Sequence, residues 1–211
     1  MPKLFIIIIT AALILGSGLP ATADIRYEDD WRAFLAANQM VLDDDAENPE
    51  ARFQLGVAQA NLGFLEEALD SFDRFYQDHD RDQSQEMLQK TRQELDKTPE
   101  NFLMLNQKGF LLFSLQRHEE AEEVFSSLIE EDRQNPWLYN FLALTQMAQI
   151  KTEEARKNLY RSLEVESNNY THAILGQLYW SQGKFFRAWK HFFQTGTLLL
   201  SIRQSLQQEV D

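Results

Sequence analysis

Apolar residues recur three and four apart along most of the chain, as in Phe53, Val57 and Ala60, or Leu138, Phe141, Leu142 and Thr145. That spacing lines one face of a helix and does not alternate as a strand does. Residues 27–42 read as one helix with Trp31, Phe34, Leu35, Ala37 and Leu42 on its apolar side, ended by the charges Asp43 to Asp45. At the far end, Leu199, Ile202, Leu206 and Val210 share a face of a last helix over 197–211. The apolar triplet Leu198 to Leu200 makes that helix either a cap on the structure or a docking face for another chain. The chain therefore reads as all-α. One stretch breaks the pattern: Leu4 to Leu15 is continuously apolar, preceded by Lys3 and followed by Gly16, Gly18, Pro20 and Ala21-Thr22-Ala23. A positive start, a short apolar run and an A-x-A end are the three parts of a secretory signal. Residues 1–23 are expected to be removed on export, with an uncleaved anchor as the alternative.

The helices repeat. Four segments align: residues 48–75, 101–129, 135–163 and 169–196. A small residue stands at Gly56, Gly109, Ala143 and Gly176. Twelve residues on come Ala68, Ala121, Ala155 and Ala188, and four further on Phe72, Phe125, Leu159 and Phe192. Two of the unit starts are Asn-Pro (Asn48-Pro49 and Asn135-Pro136), a cap and first-turn pair for a helix. Each hairpin is too small to hold a core alone and must stack on a neighbour. The step from the first unit to the second is longer than the others, with the extra residues around 76–98. No Gly or Pro occurs from Leu65 to Thr98, so either the preceding helix runs on or a separate helix begins near Asp82.

The small residue, the alanine and the aromatic, at these spacings and over residues 48–196, resemble the tetratricopeptide repeat family. Lys108, Ala143, Gln116 and Ile150 depart from the family's pattern, the last two standing where its hairpin turn often has glycine. The resemblance implies a right-handed superhelical solenoid of stacked helix-turn-helix hairpins. Residues 24–47 would form an N-terminal helix or degenerate half repeat, and 197–211 a C-terminal cap. It also implies that first helices line a concave groove. On that geometry the partner-facing residues are Phe53, Asn106, Phe113, Trp137, Asn140, Met147, Tyr170, Gln177 and Trp180. Asn106 and Asn140 are expected to hold a peptide backbone through their amides, and the tryptophans to bury apolar partner residues. The basic clamp with which well-understood family members hold a peptide's terminal carboxylate is missing from these positions.

Composition narrows the function. The 211 residues include 33 acidic and 20 basic ones, a formal charge of −13, and no cysteine. Disulfides, thiolate metal sites and a cysteine-borne lipid anchor are excluded. Nucleic acid and anionic lipid are poor partners for so acidic a chain unless a local basic patch exists, and none stands out in the sequence. The histidines His79, His118, His172 and His191 fall in no metal-ligand spacing. No serine sits in a nucleophile elbow, and glycines occur singly, with no phosphate cradle. The expectation is a protein that is not an enzyme and has no cofactor and no metal. It would act as a periplasmic interaction module that binds an extended or helical segment of another envelope protein, as scaffold or assembly factor. The alternatives are a chaperone-like holder of apolar segments and a subunit of a stable oligomer that self-associates through the C-terminal helix. Secretion, or anchorage in the inner membrane, is the alternative location.

Overall fold

The computed structural model describes residues 27–78 and 81–195. The signal segment, His79 and the C-terminal helix expected over 197–211 lie outside the described residues. Among those described there are ten helices and no strand. They are α1 (Glu28–Asp44), α2 (Pro49–Asn61), α3 (Leu65–Asp78), α4 (Arg81–Lys97), α5 (Phe102–Ser114), α6 (His118–Glu131), α7 (Pro136–Ala148), α8 (Thr152–Val165), α9 (Asn169–Ser181) and α10 (Phe185–Gln194). Four hairpins, α2–α3, α5–α6, α7–α8 and α9–α10, stack into an all-α solenoid.

Each hairpin is built by the same local chemistry. The side chains of Asn48, Asn101, Asn135 and Asn168 accept the backbone N–H of Ala51, Met104, Trp137 and Thr171 at 2.8–3.1 Å. Each thereby satisfies a donor that the first turn of a helix leaves without a partner. Fifteen residues after each cap the chain turns through a left-handed residue: Gly63 (φ 78°), Gln116 (63°), Ile150 (64°) and Gly183 (70°). A branched side chain is strained there. Ile150 is also 84% exposed, so it makes little packing to offset that strain. Ile150→Gly is accordingly expected to stabilise the fold by about 1 kcal/mol, the relief of the left-handed cost less glycine's larger unfolded-state entropy, read as a higher thermal midpoint.

Within a hairpin the two helices meet where the small residue faces the ring. A Cβ on Gly56 would lie 2.9 Å from the Phe72 ring, and one on Gly109 would lie 2.8 Å from Phe125. A Cβ on Gly176 would overlap Phe192. In the third hairpin both partners change together, to Ala143 and Leu159, and both are fully buried. The core then runs through Phe53, Phe72, Phe110, Phe125 and Phe141, whose rings follow one another at 4.8–5.8 Å.

Residues 81–97 form a helix of their own. α4 buries Ser84, Leu88, Thr91 and Leu95 and packs along α5. Ahead of the first hairpin α1 packs on α2, burying Trp31, Asn38 and Leu42. Tyr27 stacks on Phe102 at 4.0 Å, and Trp31 meets the same ring edge-on.

The array curves back on itself. Trp137, at the start of α7 in the third hairpin, packs against Gly63 in the turn of the first, where a Cβ would lie 2.5 Å from the indole. Helices α2 and α7 are in contact. Tyr170 of the fourth hairpin lies 6.1 Å from the Trp137 ring and feels the charges of Glu66 and Glu67 at the start of α3.

Candidate functional site

This curvature turns the inner face into a narrow apolar slot. Helix α3 contributes Leu65, Leu69 and Phe72, α5 contributes Phe110 and Phe113, α7 contributes Trp137, Asn140, Phe141 and Leu144, and α9 contributes Tyr170 and Ile174. The cavity is about 60 Å³, well below the roughly 300–1,000 Å³ of an ordinary ligand pocket. It holds no charge. Burial, with the carboxylates of Glu66 and Glu67 beside it, pushes the Tyr170 phenol up to about 12, so it stays a neutral hydrogen-bonding group.

The nine residues expected at the groove fall into three groups. Phe113, Trp137, Asn140 and Tyr170 come together at the slot. Phe53 and Asn106 are wholly buried: Phe53 packs on Phe72 and Phe75, and the Asn106 amide donates to the Phe102 carbonyl at 3.0 Å. Met147 and Gln177 are half-buried away from the slot lining, and Trp180 is 50% exposed at the end of α9 against Phe185. The amide of Asn140 is engaged by the fold, bonded to Thr171 Oγ1 at 2.9 Å. Trp137 Nε1, at the slot, is a buried donor with no hydrogen-bond partner among the described residues. Leu65, Leu69 and Phe72 belong to the second helix of their hairpin, so a reading that assigns the groove to first helices alone misses them. The signal for one of them was present. The residue after the repeat alanine is Leu69 in the first hairpin, but Glu122 and Arg156 in the second and third.

The polar seam between the second and third hairpins is tightly satisfied. Glu122 accepts Gln146, Gln149 and Lys151 at 2.7–3.0 Å. Burial works against its carboxylate, yet these bonds hold it below its ordinary range. Between the last two hairpins lies a cluster that the sequence did not announce. His191 sits 3.1 Å from His172, Nδ1 to Nδ1, and 3.5 Å from the Tyr160 hydroxyl, which is itself 3.2 Å from Tyr179. Burial, His172 and Lys190 lower His191 to about 4, so the ring is neutral at neutral pH. Its neighbours are thus a second histidine and a tyrosine. No group of three or more acidic or histidine side chains able to hold a metal occurs among the described residues, and none of the described helices is long and apolar enough to cross a membrane.

Comparison with known proteins adds the following. The sequence profile of the tetratricopeptide repeat matches residues 103–135, which hold α5, α6 and the cap of α7. No curated protein matches the chain. Among solved structures the chain is similar to MamA, residues 41 to the end, from Desulfovibrio magneticus RS-1. The two are 20% identical over 94% of this chain and 95% of that one, with a TM-score of 0.48. It is also similar to a MamA double mutant from strain RS-1 (19% identity, 94% of each chain, TM-score 0.47). A third is MamA from strain AMB-1 (17% identity, 83% of this chain and 98% of that one, TM-score 0.49).

Proposed function

We propose, from the premise that the chain is a tetratricopeptide-repeat protein, that it is a non-catalytic interaction module of the bacterial envelope. Its inner face takes a helical or extended segment of another envelope protein, as scaffold or assembly factor. The observation that carries this reading is the apolar slot to which all four hairpins contribute. Its half-buried rims, Phe113 and Tyr170, offer two aromatic rings to an incoming apolar side chain. Trp137 Nε1, at the slot, adds a donor that a peptide carbonyl can match. Because the slot is narrow, binding spreads the first and third hairpins and spends part of the contact energy on that opening. The envelope location rests on the signal pattern of residues 1–23.

Capture of partners from an envelope extract, with wild type compared against Phe113→Ala/Tyr170→Ala, tests the reading. Both side chains are half-buried, so helicity by circular dichroism is retained. A specific partner held by wild type is expected to bind the double variant on the order of tenfold or more weakly, the loss of two aromatic anchors. An unchanged partner list overturns the inner-face assignment.

A further inference from the structure

The last hairpin pairs two histidines at a place where the other three pair none. Four residues before the small residue of the first helix stand Arg52, Leu105, Tyr139 and then His172. Three after the alanine of the second helix stand Ser71, Val124, Asn158 and then His191. The fold brings the two histidines together, Nδ1 to Nδ1 at 3.1 Å, and leaves His191 only 6% exposed. Two neutral imidazoles can share that contact, because one Nδ1 donates and the other accepts. Two imidazolium rings cannot, because both nitrogens then carry a hydrogen.

The surroundings give an added positive charge no counterpart. From α8, the Tyr160 hydroxyl lies 3.5 Å from His191 Nε2. From α9, Tyr179 stacks on the His191 ring at 5.5 Å, its hydroxyl 3.2 Å from that of Tyr160. Lys190 of α10 acts on both histidines. Arg156 of α8 and Arg187 of α10 act on the tyrosines, with Arg187 over the Tyr179 ring. Each of these charges is positive. Neither α9 nor α10 contains an Asp or a Glu, and Glu153 of α8 is engaged by Arg156. A proton added to the pair therefore becomes a buried charge beside other cations, which the closed hairpin disfavours.

We propose that the His172 and His191 pair is an acid-sensitive latch, which holds α10 on α9 while both rings are neutral and releases it when they take up protons. The direction follows from burial. His191 is held at about 4 in the closed hairpin against an ordinary 6.5, and burial with Lys190 lowers His172 in the same sense. The closed hairpin therefore binds protons more weakly than the released one. Its stability is full above about 6.5 and is lost as the pH falls from there toward 4. Between pH 7 and pH 5, His191 alone raises the released fraction on the order of tenfold. α10 packs on α9 and is the last of the described helices, so it can open while the first three hairpins stay stacked. Release lifts the Phe192 ring off Gly176 and bares that edge of α9. The latch is separate from the inner-face slot and does not depend on its assignment.

Amide exchange of the full chain at pH 7 and pH 5, corrected for the intrinsic exchange rate, tests the latch helix by helix. Protection of α10 is expected to fall on the order of tenfold or more at pH 5, relative to α5 and α7. His191→Asn gives the last hairpin the residue that the third carries at that place and leaves nothing there to titrate. His172→Gln removes the other ring. In both variants the acid-dependent loss in α10 is expected to be several-fold smaller than in wild type. Titration of the His191 ring protons by nuclear magnetic resonance gives a second reading, with a midpoint well below 6.5 expected. An ordinary midpoint, unchanged α10 protection at pH 5, a loss shared equally by all helices, or an acid response kept in both variants each overturns the proposal. Should one variant fail to fold, the other and the two wild-type measurements still decide.

Discussion

Gly63→Ala is expected to lower stability by about 2–4 kcal/mol, the larger part of it through a residue more than seventy positions away. At φ 78° an alanine pays about 1–2 kcal/mol for the left-handed conformation. Its Cβ would also lie 2.5 Å from the buried Trp137 indole, and overpacking of that kind costs about 1–3 kcal/mol. Gly183→Ala separates the two contributions. That glycine has φ 70° but nothing within 4 Å of a Cβ, so its substitution pays the conformational cost alone. Denaturant unfolding of the two variants side by side should show Gly63→Ala lower by the Trp137 contribution. Equal losses would mean that the contact between the first and third hairpins contributes nothing.

The second large effect lies at the crossing inside the second hairpin. Phe125→Ala empties a fully buried ring site and should cost about 3–5 kcal/mol. Gly109→Ala at the same crossing drives a methyl to within 2.8 Å of that ring, at about 1–3 kcal/mol, partly offset by the better helix propensity of alanine, about 1 kcal/mol. The third hairpin shows how the two changes accommodate each other, since Ala143 there faces Leu159. Gly109→Ala/Phe125→Leu should therefore be more stable than the sum of its single variants predicts. A double-mutant cycle on thermal or denaturant unfolding gives the coupling, and strict additivity would contradict a shared packing site.

Much of this was legible in the sequence, because the repeat is written in local terms. The Gly109 and Phe125 spacing, the Asn-Pro starts and the turn at Ile150 concern residues that meet within one hairpin, and periodicity fixes such meetings. Curvature is different. It is decided where Trp137 meets Gly63 and where Tyr170 nears Glu66 and Glu67, contacts between hairpins that are not neighbours and that no spacing encodes. The groove was harder to place for the same reason. Phe53 and Asn106 sit on the expected helices, but Phe53 packs inside its own hairpin and Asn106 bonds its own helix, while Leu69 and Phe72 of a second helix reach the slot instead.

The packing of Trp137 on Gly63 also bears on how the chain comes apart. In a linear array each hairpin touches only its neighbours, so fraying from either end proceeds unit by unit. Here the first hairpin is fastened to the third, and releasing either exposes a tryptophan that the other was covering. Amide exchange in α2, α3 and α7 should accordingly share one opening event, with α5 and α6 enclosed between the fastened ends. A molecule tied in this way cannot be shortened or lengthened by whole repeats as an open array can, since inserting a unit between Gly63 and Trp137 would undo the clasp.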